Sequence, residues 1–238
     1  MKRHILRFYM YVGWEMLIGI KGLFSLHRLT LEKVRHEGED ITTFVFRPRK
    51  KVRFEAGQYG LWFMPRMVWG KPYRFFTIAA SPTEGTVQLS TRLSKSAFKR
   101  KLAAQPLGST MYVLGPFGRF VLGKKPPESA VLVAGGIGVT PMRAIARFAH
   151  DTHAPTKLTL VDSASGFYLY RKEFEKYLPD HRFVTRESFA KTLEEVAAKE
   201  APDTPFYVSG PPAFVVATEE ALQKLGRRNI RKDGFVGY

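Results

Sequence analysis

The texture of the chain changes once, at Gly123–Ser129 ("GKKPPES"), and that change restricts the fold more than any other feature. Before it, from Leu29 to about Gly115, short β-rich runs are separated by turn residues. "LTLEKVRH" and "DITTFVFR" alternate apolar and polar residues, as half-buried strands do. "GQYGLWFM", "YRFFTIAA", "TVQLSTRL" and "STMYVLG" follow at short spacing, with one helical stretch, Ser96–Ala104. Roughly six strands in about ninety residues is the pattern of a small antiparallel barrel or sandwich. After the change, a buried strand reads Ala130-Val131-Leu132-Val133-Ala134. Helix and strand patterns then alternate: Pro141–His150, Lys157–Val161, Arg171–Tyr177, Arg182–Thr185, Lys191–Lys199, Phe206–Ser209 and Ala213–Leu225. Such alternation implies βαβ units and a parallel sheet. Two domains are therefore expected, a β-barrel at 29–125 and an α/β domain at 126–238.

Residues 1–28 form a third segment. Ile5 to Leu26 is largely apolar and carries Phe8, Tyr9, Tyr11, Trp14 and Phe24, but Arg7, Glu15 and Lys21 interrupt it. That makes it a poor membrane span and a poor signal peptide. Two readings stand side by side. One is an interfacial helix, with Lys2, Arg3 and Arg7 facing lipid phosphate; the other is a helix packed on the domain or on a partner. The expected location is cytoplasmic, with the cytoplasmic face of a membrane as the site of any peripheral contact.

The chain has 38 basic and 21 acidic residues, a net charge of +17, which attracts anions. It has no cysteine, which removes disulfides, thiolate nucleophiles, Cys-ligated zinc and Cys-ligated iron–sulfur clusters. The histidines are scattered, and His150 and His153 have no further ligand at metal spacing, so no metal site is expected. The basic clusters Arg47–Arg53, Lys99–Lys101 and Arg227–Lys232 lack a recognised nucleic-acid fold. They read as solvated faces or as a docking patch for an acidic electron carrier, and no nucleic-acid partner is expected.

Two stretches carry chemistry. Gly135-Gly136-Ile137-Gly138-Val139-Thr140-Pro141 follows the first strand of the second half. Its glycines permit positive φ and close approach to a ligand. Thr140 is expected as the helix N-cap and Pro141 as the first helical residue. Free N–H groups at such a helix start favour phosphate. In the first half stands Arg74-Phe75-Phe76-Thr77-Ile78-Ala79-Ala80-Ser81-Pro82. On a strand, Arg74 and Phe76 share one face, and Phe75 and Thr77 the other. Arginine can fork onto a pyrophosphate, an aromatic can lie against a planar ring, and Thr77 can hydrogen-bond a ring nitrogen. Read alone, the same stretch is equally an ordinary strand with one snorkelling arginine.

Taken in order, Arg74-x-Phe76-Thr77, Gly115-Pro116-Phe117-Gly118-x-Phe120, Gly135-Gly136-x-Gly138-x-Thr140-Pro141 and Tyr207-Val208-Ser209-Gly210-Pro211 resemble the ferredoxin–NADP reductase superfamily over about 29–238. Gly57-Gln58-Tyr59 resembles the strand before its flavin motif. The resemblance implies an FAD-binding β-barrel followed by a Rossmann-like NAD(P)-binding domain, and an oxidoreductase passing hydride from NADH or NADPH to FAD. It implies that Arg74 binds the FAD pyrophosphate, that Phe76 (with Phe75 beside it) lies by the flavin, and that Thr77 bonds flavin N5. Ser94, Lys95, Ser96 and Ala97 resemble the segment whose amides hold that pyrophosphate. Gly135, Gly136, Gly138, Thr140 and Pro141 would hold the nicotinamide nucleotide's pyrophosphate. Ser209, Gly210 and Pro211 would flank the nicotinamide, and Tyr238 would place an aromatic near the flavin. Thr77, Ser209 and Tyr238 are the expected catalytic residues.

Two departures stand out. Phe76 replaces the commoner tyrosine, which with the following Ile-Ala-x-x-Pro looks more like flavohaemoglobin- and ferric-reductase-type relatives. Ser209 replaces a common cysteine. Asp162, expected just past a strand end, would accept from a ribose and repel a 2′-phosphate, which favours NADH. The resemblance implies a separate acceptor: ferredoxin, flavodoxin, quinone, haem or ferric chelate. An electron-transfer subunit docked to a membrane partner, or a flavin- or nucleotide-binding module without turnover, are the alternatives.

Overall fold

The computed structural model describes residues 25–38, 40–65, 71–93 and 96–234. The N-terminal segment up to 24, together with Ser94, Lys95 and Tyr238, lies outside the described residues.

The first half is a six-stranded antiparallel sheet with the order β4-β3-β6-β1-β2-β5. Its strands are β1 (Ser25–Gly38), β2 (Ile41–Pro48), β3 (Tyr59–Phe63), β4 (Tyr73–Thr77), β5 (Val87–Arg92) and β6 (Thr110–Phe117), with helix α1 (Ala97–Ala103) before β6. The long β1 serves two neighbours. Ser25–Thr30 pairs with β6, and Leu29–Gly38 pairs with β2. This strand starts at Ser25 rather than Leu29, because His27 and Arg28 find ladder partners in Val113 and Tyr112. The sheet curls until its edges approach: just after β4, the Ala79 N–H donates to Gln88 O of β5 at 2.8 Å. Alternate side chains Leu29, Leu31, Phe44, Phe46, Trp62, Leu89 and Met111 fill the interior, and Phe98 and Leu102 of α1 close it.

The second half is a five-stranded parallel sheet with the order β11-β10-β7-β8-β9. It contains β7 (Ser129–Gly135), α2 (Val139–Asp151), β8 (Lys157–Ser163), α3 (Arg171–Tyr177), β9 (Asp180–Val184), α4 (Arg186–Lys199), β10 (Phe206–Gly210), α5 (Pro212–Lys224) and β11 (Ile230–Gly234). Both faces are covered. Ala130, Leu132, Leu158, Leu160 and Tyr207 face α2, α3 and the first domain, whereas Val131, Val133, Val161, Phe206 and Val208 face α4 and α5. From β7 the chain winds one way through β8 and β9, then crosses back to β10 and β11. The switch point, where open α/β sheets bind ligands, therefore lies between the carboxyl ends of β7 and β10.

Two elements differ from expectation. α4 begins at Arg186, before Lys191, because Thr185 and Ser188 form a capping box ahead of the apolar face. β11 has no counterpart among the expected strands. Its sequence, Ile-Arg-Lys-Asp-Gly, has the charge of a solvated loop, yet an edge strand carries such side chains readily. The basic run around it is used internally. Arg227 donates to the carbonyls of Ala197, Glu200 and Ala201 at the end of α4. Arg231 donates to Val121 O and Tyr207 Oη, and Lys232 pairs with Glu219.

Candidate functional site

The Arg74–Thr77 strand forms one wall. Arg74 Nη1 donates to Tyr73 O at 2.8 Å, and its guanidinium lies 5.8 Å from the Phe98 ring centre. Phe76 meets the same ring at 5.9 Å. Arg74 and Phe76 thus share the α1 side of the strand, where Ser96 and Ala97 begin the helix. Phe75 points the other way. It is 56% exposed, edge-on to Tyr59 and Phe117 at 5.8 and 6.4 Å. It therefore does not join Arg74 and Phe76 on one face. The Trp62 indole N–H donates to Phe76 O at 3.1 Å, which ties β3 to β4. Thr77 pairs with Tyr59 across the ladder and is 4% exposed. Its Oγ1 finds no hydrogen-bond partner among the described residues.

The switch point forms the opposite wall. Gly136–Gly138 makes one 3-10 turn that runs straight into α2. Thr140 is consequently not the N-cap. It sits inside the first turn, buried, and its hydroxyl donates to Ile137 O at 3.1 Å, while Pro141 is buried beside it. The glycines have distinct tasks. A Cβ on Gly138 would overlap the backbone of Ser209 and Gly210, and one on Gly135 would meet the Phe214 ring. Gly136 has φ +54° and open space where a Cβ would stand, leaving an unobstructed loop at the head of a thirteen-residue helix.

Asp162 lies within β8 rather than beyond it, because the ladder with β7 and β9 continues to Ser163. It is 1% exposed, its Oδ1 has no partner among the described residues, and burial holds its carboxyl well above the usual aspartate range. A charged, exposed ribose acceptor at this position is therefore not what the fold presents. The register places it in a row. Asp162 stands beside Ala134, Ala134 beside Ser209, and Ser209 beside Asp233. Partners in a parallel ladder point to the same face, here the one turned towards the first domain. Ser209 Oγ and Asp233 Oδ2 are also buried without partners among the described residues. Burial pushes the Asp233 carboxyl up to about 6. Burial and the nearby Asp233 together push the Tyr59 phenol up, so Asp233 faces the strand that pairs with Thr77.

Asp233 is the candidate-site residue that motif reading did not single out, and Tyr59 entered there only as part of the strand before the flavin motif. Asp233 was hidden in a basic run, and only the β10–β11 register reveals it beside Ser209.

No protein-family model matches the chain. It is 23% identical over 218 residues to tetrachlorobenzoquinone reductase of Sphingobium chlorophenolicum, covering 87% of this chain and 67% of that protein. It is 25% identical over 226 residues to the glycine betaine monooxygenase reductase subunit of Chromohalobacter salexigens, covering 84% and 61%. With ferredoxin–NADP reductase B of Sorangium cellulosum it shares 30% over 131 residues, 53% of each chain. The chain thus spans about half to two thirds of the length of these curated relatives. Among solved structures, the cytochrome P450 reductase of Amycolatopsis matches with a TM-score of 0.76 at 20% identity, covering 90% of this chain and 71% of that one. A ferredoxin NADP+ reductase from Neisseria gonorrhoeae, with bound FAD and NADP, matches with 0.68 at 18% identity, covering 90% and 99%. The chain thus has the two-domain fold of these ferredoxin reductase-like structures, and in sequence it is similar to proteins named as reductases.

Proposed function

We propose that this chain is an NAD(P)H-dependent flavin reductase that passes electrons to a separate acceptor, such as a ferredoxin, flavodoxin, quinone, haem or ferric chelate. The observation that carries it is a set of buried polar atoms without partners among the described residues: Thr77 Oγ1 on one wall, Ser209 Oγ and Asp233 Oδ2 on the other. Buried polar groups are nearly always hydrogen-bonded, so such a cluster at a switch point suits a polar ring system. FAD, when bound, supplies the hydride and single-electron chemistry. Arg74 would hold its pyrophosphate, with Phe76 and Phe98 as an aromatic bed and Ser94–Ala97 beside the phosphates. Thr77 would offer its hydroxyl to flavin N5. Gly135–Pro141 would hold the nucleotide pyrophosphate, and Ser209-Gly210-Pro211 would flank the nicotinamide. Asp233, its carboxyl pushed up to about 6 by burial, would exchange a proton beside Tyr59 and Ser209.

NADH is the donor we favour, now on different grounds. Asp162 is withdrawn into the sheet, and the nearest following arginine, Arg171, is engaged with Glu175 at 2.8 Å and lies 5.0 Å from the Phe183 ring centre. Arg171 is thereby engaged within the chain rather than offered to a 2′-phosphate.

The direct test is absorbance of the purified chain at the flavin bands and its bleaching by NADH or NADPH. Colourless protein that cannot be reconstituted with FAD would sink the proposal. Arg74→Ala should weaken FAD retention by about 10- to 100-fold, as loss of a charge-assisted phosphate contact does. Full flavin occupancy in that variant would remove Arg74 from the site.

We further propose peripheral contact with the cytoplasmic face of a membrane, or with a membrane partner, through the N-terminal apolar and basic segment. No described helix is long and apolar enough to cross a membrane. Because β1 starts at Ser25, the informative deletion ends at residue 24. Unchanged partition to anionic vesicles after that deletion would refute lipid contact.

A further inference from the structure

One turn into α2, at Arg143, a guanidinium is buried between the two domains, 2% exposed. Its Nη1 donates to Ala79 O at 3.0 Å, two residues beyond Thr77, and also to Glu84. Its Nη2 donates to Glu84 at 2.8 Å and to Glu173 of α3 at 2.8 Å, and its Nε to Glu173 at 3.0 Å. The guanidinium also lies 5.4 Å from the ring centre of Tyr170, whose hydroxyl bonds Ser90 and Thr43 of the first domain. Burial alone would lower the arginine's affinity for its proton, but the bonds and charge of Glu84, with Glu173, outweigh it and hold the group above its ordinary value. Glu84 is likewise held below its usual range, Arg143 outweighing burial. The backbone at Ala79 is thus held on both sides, by β5 through its N–H and by Arg143 through its carbonyl.

The same helix begins at the glycine loop. One rigid element therefore connects the proposed nucleotide site to the end of the proposed flavin strand. An apolar side chain would hold two domains together as firmly, since buried ion pairs are often replaceable without loss of stability. What the fork adds is a single geometry, because its planar donors meet three acceptors from both domains at once. Hydride transfer is sensitive to misplacement of about 1 Å.

Resting on the reductase reading, we propose that Arg143 is a positioning residue: it sets the separation of the flavin strand from the nucleotide loop, and so the alignment of hydride donor and acceptor. The test uses Arg143→Lys and Glu84→Gln in the full chain, reconstituted with FAD and mixed anaerobically with NADH. Flavin content and the NADH KM should stay within about threefold, while single-turnover flavin reduction slows by at least about tenfold. The double variant should be no slower than the worse single one, because both belong to one unit. A second readout uses the cofactor-free chain. Amide hydrogen exchange at 77–81 and 139–145 should quicken together in Arg143→Lys, with the β2 core unchanged. Wild-type reduction rates in both variants, or slowing matched by equal loss of flavin and nucleotide affinity, would overturn the positioning role. A wild-type chain that takes up no flavin would refute the reductase reading itself. Exchange then decides the domain tie alone: paired quickening upholds it, and unchanged protection removes it.

Discussion

Two polar regions are buried where the domains meet, and they are treated in opposite ways. Around Arg143, the guanidinium, Glu84, Glu173 and Ala79 O form one hydrogen-bonded set, and the Tyr170 ring beside the guanidinium joins it to the bonded hydroxyls of Tyr170, Ser90 and Thr43. Around the switch point, Thr77, Asp162, Ser209 and Asp233 each keep a buried oxygen without a partner among the described residues. Both sets are costly to bury, but only the first recovers that cost within the folded chain. The first set thereby defines how the domains sit. The second set is a deficit that a polar ligand bound at the proposed site would relieve.

If that contrast is right, the two sets respond to substitution with opposite signs. The largest effect is expected at Glu84→Ala. It strands the Arg143 charge and should cost about 3–5 kcal/mol in urea unfolding; a loss below about 1 kcal/mol would show that the set does not behave as a unit. Asp233→Asn comes next. A carboxyl with a folded pKa of about 6, against an ordinary 3.8, binds its proton more tightly when folded. Wild-type stability should accordingly fall as pH rises from about 4 to about 6, by roughly 3 kcal/mol from this group. The asparagine variant should lack that slope and be the more stable protein above about pH 6. Equal pH dependence of the two proteins would contradict the burial of Asp233. The smallest stability effect belongs to Thr77→Val, which removes an unpartnered oxygen at nearly constant shape. Stability should change by less than about 1 kcal/mol, while flavin reduction slows by roughly tenfold to a hundredfold. Unaltered kinetics in that variant would take Thr77 out of the site.

Most of the architecture is legible in the linear pattern. Alternation in "DITTFVFR" and the apolar run Ala130–Ala134 reflect burial on one or both faces of a sheet, and burial is a local demand on side-chain type. Boundaries are less legible. Thr140 has the composition of an N-cap, yet Gly136–Gly138 could already turn as a 3-10 segment, so the helix started earlier. Asp162 suggests a strand end by its charge, but the neighbouring ladders extend past it. β11 was masked by Arg231 and Lys232, whose charges are satisfied by Tyr207, Val121 and Glu219 only once the chain has folded.

What the sequence by itself determined is the antiparallel and parallel halves and the glycine loop at the first turn of the second half, because periodicity and glycine placement are properties of neighbours along the chain. What only the tertiary structure decided is which polar groups are satisfied. Arg143 meets Glu84 across 59 positions, and Asp233 comes level with Ser209 through strand register. A hydrogen bond depends on distance in space, and no local pattern records which of two buried carboxylates will find its partner.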